Sequence, residues 1–224
     1  MGNHLVISDV HYPYQSDSAF RGLRRELRGV RVDVVHVLGD YFDCGAFSEY
    51  VVGLKDVCDG VGVFSSGFRY LRGFVGGVGA DRVVYYIGNH EERFERHVRR
   101  VSVVLDGVVR FSDFVPSWCE YVGGRDGRVW GGLGGVSGLR LLHGGVVRLV
   151  AGAASLELLR RYSEGGVVMG HTHRLGQVWH CDRVGVECGC MCDDSMMEYL
   201  RVRPIWTRGA VLIDRRSVRL IHLG

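Results

Sequence analysis

Short runs of apolar, largely β-branched residues recur along the chain, each ending at a glycine or a polar loop. Five of them, Leu5–Ile7, Val34–Leu38, Val83–Ile87, Leu139–Leu142 and Val167–Met169, have the length and composition of buried strands. Between them the apolar period lengthens to that of a helix. Residues 18–28 put Phe20, Leu23 and Leu27 on one stripe, with Asp17 or Ser18 as N-cap. Residues 91–101 align Phe94, Val98 and Val101, and residues 153–162 form a third helix. Alternation of strand and helix predicts an α/β fold. After residue 174 the stretches "GQVWHCD", "RVGVECGC", "RGAVLID" and "SVRLIHL" read as consecutive strands, a meander that adds a largely antiparallel sheet. Two sheets, each covered by helices on one side, are the simplest packing. Residues 123–138, "GGRDGRVWGGLGGVSG", match neither a phosphate-binding loop nor a dinucleotide fingerprint. Their glycines, just before the strand that leads to His143, suggest a mobile lid over a small ligand.

Composition narrows the class. A chain of 224 residues fits one domain, 1–224, with room for a sizeable core. Its 46% hydrophobic and 24% charged residues are ordinary for a soluble globular protein. No apolar run approaches the roughly 18–20 residues of a membrane helix, so no membrane partner is expected. The opening "MGNHLVISDV" has no basic segment followed by a long apolar one. Val6 stands where an N-myristoylation signal needs Ser or Thr. A cytoplasmic location is the expectation, and with it reduced thiols for the seven cysteines. Cys188, Cys190 and Cys192 alternate on a predicted strand, which places them on one face as small buried side chains; the usual CxxC pairing of a thiolate metal site is absent. Of 28 basic residues only Lys55 is a lysine. With a net charge of +3 this reads as compositional bias rather than a nucleic-acid surface.

The residues just beyond each strand carry the chemistry. After the five runs come Asp9-Val10-His11, "GDYFD" at 39–43, "GNHEER" at 88–93, His143-Gly144, and His171-Thr172-His173. In open α/β sheets, sites form at the carboxyl ends of the strands. Residues two apart on extended chain point the same way, so His171 and His173 aim two imidazoles at one point. Carboxylate, amide oxygen and imidazole donors without cysteine suit borderline cations such as Mn²⁺, Fe or Zn²⁺. Asp40, with two carboxylate oxygens, is best placed to bridge two ions. Two ions about 3.5–4 Å apart clamp a phosphoryl group and lower the pKa of a shared water from 15.7 to about 7.

The blocks "DVH", "GDYFD", "GNHE", "LLHG" and "GHTH" resemble the five blocks of the calcineurin-like metallophosphoesterases, over residues 9–173. The resemblance implies a four-layer αββα sandwich of two mixed sheets with a two-metal centre between them. It implies that Asp9, His11, Asp40 and His173 hold one ion, and that Asp40, Asn89, His143 and His171 hold the other. His90 would be the acid that protonates the leaving oxygen, oriented by Asp43. The implied cofactors are two divalent metal ions, Mn²⁺ first, with Fe, Zn²⁺, Ni²⁺ or Mg²⁺ as alternatives. Phosphoprotein phosphatases of the family carry an arginine directly after the second Asp of "GDxxD"; here it is Cys44. They also lack the "GHTH" block. The chain thus resembles the Mre11-like and cyclic-nucleotide-phosphodiesterase-like branch, and its "GNHEER", "GHTHRLG" and "GCMC" segments resemble small bacteriophage and bacterial members.

The expected activity is hydrolysis of small nucleotide-type phosphodiesters, cyclic ones included. Arg93 and Arg174 are candidates for phosphate contact. Tyr12, Tyr14 and Tyr41 either stack on a base or simply pack beside the ligands. A nuclease would call for a positive groove and added DNA-binding elements, and nucleic acid is not the favoured partner. A phosphomonoesterase is a further alternative. A non-catalytic scaffold would tend to lose the acid, yet His90 and every ligand position are present.

Overall fold

Strands buried on both faces are largely apolar rather than alternating, and the first two follow this apart from one histidine each, His4 and His36. β1 (His4–Ile7) and β2 (Val34–Leu38) are buried at every position. The computed structural model describes residues 2–48, 62–124, 126–197 and 205–224; Lys55 and Arg125 lie outside them. β1 and β2 run parallel, and β3 (Arg82–Tyr86) and β4 (Cys119–Val122) continue the parallel order. The second sheet has the order β5-β6-β7-β9-β8, from β5 (Arg128–Gly131), β6 (Gly138–Leu142), β7 (Gly166–Met169), β8 (Leu175–His180) and β9 (Arg183–Cys188). In it β6, β7 and β9 are parallel, while β5 and β8 are antiparallel edges.

The C-terminal meander is divided between the sheets instead of forming one of its own. β8 and β9 join the second sheet. β10 (Gly209–Ile213) and β11 (Val218–His222) extend the first, with β10 antiparallel to β1, giving the order β11-β10-β1-β2-β3-β4. The period of two describes each strand but not its partner, and both sheets offered an edge to close.

Three cores make four layers. Leu5, Ile7, Val35, Val37 and Val83 face α1 (Asp17–Glu26), α2 (Gly62–Val78) and α3 (Glu91–Val101). Val6, Val84, Leu139, Val168 and Val186 meet between the sheets. Val167 and Met169 pack outward against Ala154, Leu158 and Leu159 of α4 (Ala153–Arg161). The predicted stripe of α1 is buried as expected, but its N-cap is Ser16, whose Oγ accepts from Ala19 N–H. On α3, Phe94 and Val98 are buried while Val101, the last residue, is exposed.

Residues 128–138 of the glycine-rich segment are built into the second sheet and its turn rather than a lid. Residues 128–131 form β5, and the turn to β6 packs on the β10–β11 turn, where Gly134 and Gly135 N–H donate to the Asp214 and Arg215 carbonyls. That turn lies at the amino end of β6, opposite His143. Among the described residues no helix is long and apolar enough to cross a membrane.

Candidate metal centre

The carboxyl ends of β1, β2, β3, β6 and β7 all open to one side, and the chain turns sharply there. Asp9, His11, Asp40, His171 and His173 all have positive φ, from 46° to 84°. For non-glycine residues this costs about 1–3 kcal/mol each and persists only where surroundings impose it. Close backbone contact is part of that imposition. A Cβ on Gly88 would lie 2.2 Å from Asp40 N, and one on Gly170 would lie 1.9 Å from Ser8 Oγ.

The side chains converge in two groups. Ligand atoms of Asp9, His11 and His173 lie within 4.8 Å of one another, as do those of Asp40, His143 and His171. Asp40 also groups with His11 and His90, so it stands between the two sets. Asn89 Oδ1 is 3.0 Å from His143 Nε2, which is 3.3 Å from Asp40 Oδ2. The structure thus brings together all seven predicted ligands.

Second contacts fix which nitrogen of each ring faces inward. His11 Nδ1–H donates to Asp43 Oδ1 at 3.0 Å, leaving Nε2 facing His173 Nε2 at 3.1 Å. His143 Nδ1–H donates to the Leu38 carbonyl at 2.7 Å, leaving Nε2 toward Asp40. Burial opposes charge on His143, but the Asp40 carboxylate, with Asp9 and the Leu38 carbonyl, pushes it up to about 10. The same contest, won by Asp9, raises His173. Burial and then the neighbouring imidazoles of His90 and His143 lower His11 and His171 respectively. Burial works against the Asp40 carboxylate, yet His143 and His90 hold it well below the usual range.

These residues fit a pair of divalent cations. The buried Asp9 Oδ1 has no hydrogen-bond partner, although His173 Nε2 lies 3.1 Å away. Four imidazoles, two carboxylates and an amide oxygen converge here, a donor set that divalent cations satisfy once they displace the ring protons.

A family model for calcineurin-like phosphoesterases matches residues 3–175. The chain belongs to the calcineurin-like phosphoesterase family. Its fold is shared at low identity by solved structures. Vps29 of Chaetomium thermophilum has 14% identity and a TM-score of 0.53, covering 98% of this chain and 89% of that one. Vacuolar protein sorting 29 of Cryptosporidium parvum has 17% identity and a TM-score of 0.50, with the same coverages of 98% and 89%. An archaeal phosphodiesterase has 15% identity and a TM-score of 0.47, covering 98% and 99%. No curated protein gives a significant sequence match.

Within this calcineurin-like phosphoesterase, Asp43 approaches both His11 and His90. The Asp43 carboxylate pairs with His11; its Oδ1 is 3.7 Å from His90 Nδ1. The Asp43 main-chain carbonyl orients His90, accepting from Nδ1–H at 2.6 Å. Each of the three tyrosines packs within the protein, Tyr12 and Tyr14 remaining half-buried. Tyr41 is fully buried and donates to the Gly67 carbonyl at 2.8 Å, Tyr12 stacks on it, and Tyr14 packs against Cys190 and Cys192.

Two carboxylates that shape the site were not foreseen. Glu91, fully buried, accepts from Asp40 N, Phe42 N, Gly88 N and Tyr85 OH at 2.8–3.0 Å. Charge-assisted hydrogen bonds of this kind are worth about 1.5–3 kcal/mol each. Burial and then Asp40 raise its carboxyl above the ordinary range, against the pull of those donors. Glu187 accepts from Thr172 Oγ1 at 2.7 Å and Ala154 N at 2.9 Å, tying the His171–His173 loop to α4. Their one signal in sequence is a carboxylate beside a ligand block or in an otherwise apolar strand.

Proposed function

We propose that this phosphoesterase hydrolyses small phosphodiesters, nucleotide-type and cyclic ones included, at a centre of two divalent cations, with Mn²⁺ preferred. The observation that carries this reading is the pair of facing ligand groups with Asp40 between them. Asp9, His11, Asp40 and His173 would hold one cation, and Asp40, Asn89, His143 and His171 the other. When bound, such ions supply positive charge to phosphoryl oxygens and lower the pKa of water toward neutrality.

The chain's own groups do the rest. Because Nδ1–H of His90 is engaged by the Asp43 carbonyl, Nε2 is the nitrogen left to carry a proton to a leaving oxygen. It faces the centre, 3.8 Å from Asp40 Oδ2. A general acid of this kind contributes about 10²–10⁴-fold. Arg93 Nη1 lies 3.2 Å from His90 Nδ1. Both nitrogens carry hydrogens, so no hydrogen bond joins them, and the Arg93 charge beside the acid is free to meet substrate phosphate. Arg174, next to His173, has a buried Nε with no hydrogen-bond partner and is the second candidate for that contact.

Preference for a diester rests on charge. A diester carries one negative charge where a monoester carries up to two. Cys44 is buried, and its thiol is pushed up by burial and then by Glu91 and Asp43, so it is neutral and cannot stand in for an arginine. The test compares bis(nitrophenyl) phosphate, nitrophenyl phosphate, 2′,3′- and 3′,5′-cyclic nucleotides, a phosphopeptide and DNA with Mn²⁺. Small diesters should give the highest kcat/KM. Far faster turnover of DNA would make the protein a nuclease, and turnover of monoesters alone would make it a phosphatase.

A further inference from the structure

The cysteines after β9 do not share one face. β9 ends at Cys188, which packs in the core between the sheets, and Gly189 at φ 74° turns the chain away. Cys190 and Cys192 then point together into a separate pocket with Met197, walled by Tyr14 and Trp206. The segment is pinned to the metal centre, since Met191 N–H donates to the Asp9 carbonyl at 3.1 Å. Both thiols are about 1% exposed. Ligand atoms of Cys190, Cys192 and His173 lie within 4.8 Å of one another.

His173 has an unmet need on this side. Its Nε2 faces Asp9 and His11, 3.1 Å from each. Its Nδ1 is buried without any hydrogen-bond partner. The corresponding nitrogens of His11 and His143 each have an oxygen acceptor. A buried polar atom left unpaired costs about 1–3 kcal/mol, so it calls for a partner. Trp206 covers the ring, with centroids 4.0 Å apart.

We propose that His173 Nδ1, Cys190 Sγ and Cys192 Sγ form a third cation site, selective for a thiophilic d¹⁰ ion such as Zn²⁺ or Cd²⁺ and coupled to the phosphoesterase centre through the shared ring. One nitrogen and two sulfurs at bond lengths of about 2.0 and 2.3 Å in a tetrahedron stand roughly 3.5–3.8 Å apart, so small side-chain shifts close the site. Sulfur donors select against the harder Mn²⁺. Binding exchanges the two thiol protons, released to buffer, for the cation. A neutral imidazole has one lone pair. With Nδ1 bound, Nε2 keeps the ring proton and cannot ligate a cation beside Asp9 and His11, so the thiophilic ion opposes Mn²⁺ there.

The experiment titrates Cd²⁺ into the full chain, stripped of metal and carrying Cys58→Ser and Cys181→Ser to remove two other thiols. Thiolate-to-cadmium charge-transfer absorption reports sulfur ligation alone and is blind to the Asp and His ligands. The band should saturate at one sulfur-bound equivalent and disappear in both Cys190→Ser and Cys192→Ser. Absence of the band, or its survival in both variants, would overturn the proposal. Should a variant not fold, alkylation mapping of the parent replaces it: Cd²⁺ must protect Cys190 and Cys192 selectively, and equal labelling with and without Cd²⁺ would overturn the site. No turnover is measured, so the result is independent of the substrate reading.

Discussion

Buried histidines occupy both ends of this sandwich, and they are held in opposite ways. At the far end His4 and His36 sit within regular strands, stacked at 5.1 Å with Nδ1 and Nε2 2.8 Å apart. Trp130 packs edge-on to both rings and donates to Tyr86 OH at 2.9 Å, and that hydroxyl lies 3.3 Å from His36 Nδ1. Burial is the first cause lowering both groups, well below the ordinary value for His36. At the ligand end His11, His171 and His173 sit on strained left-handed backbone, and with His143 they surround the carboxylates of Asp9 and Asp40. Burial alone makes a neutral structural histidine; a carboxylate beside it and a backbone forced to positive φ mark one built for a cation.

The largest effect should come from the residue shared between the ligand groups. Asp40→Asn is expected to lower kcat by about 10³-fold or more, since it removes charge worth several kcal/mol at the transition state. Metal analysis should show both ions weakened. His36→Gln, at the other end, should cost stability while leaving metal content and turnover of the folded fraction unchanged. Metal loss in His36→Gln would break the contrast between the two ends.

Next in size is the division of labour between His90 and Asp43. His90→Ala should lower turnover of alkyl esters by about 10²–10⁴-fold with metal retained, and by much less for nitrophenyl esters, whose leaving group barely needs a proton. Asp43→Asn keeps the carbonyl that orients His90 but alters the partner of His11. It should weaken metal affinity about 10–100-fold and show no such dependence on leaving group. The reverse pattern in Asp43→Asn would restore its carboxylate as the orienting group for His90.

The smallest effect is the pH dependence of the metal-free protein, where the two ends should act with opposite sign. His143 is raised to about 10. Its stabilisation is complete below the unfolded value near 6.5 and is lost as pH rises toward 10. His36 is lowered, so its contribution is present above 6.5 and lost as pH falls. Stability should therefore peak near pH 6.5 and decline by about 1–3 kcal/mol by pH 8.5, at up to about 1.4 kcal/mol per proton per pH unit. Denaturant titrations of His143→Gln should lack the alkaline decline. A parent curve that rises over pH 6.5–8.5 would contradict the His143–Asp40 pairing.

The ligand set was legible because each ligand directly follows an apolar run, so local pattern and chemistry coincide. Glu91 and Glu187 were not, because their donors come from loops distant in sequence: Glu91 follows His90 on α3 yet binds the loop at 40–42. α2 was hidden by its glycines, as in "GFVGGV", and β5 by the glycines around Trp130. The strands after residue 174 were visible, but their division between two sheets depends on which edges remain open, and no local period records that.

The central claim is that the two facing ligand groups hold two cations. The most direct measurement is elemental analysis of the stripped protein after reconstitution and equilibrium dialysis with Mn²⁺, which the sulfur pocket disfavours. The account predicts two Mn²⁺ per chain, falling below one in Asp40→Asn. A single tightly bound ion with no second at saturating Mn²⁺, or two ions undisturbed by Asp40→Asn, would contradict it.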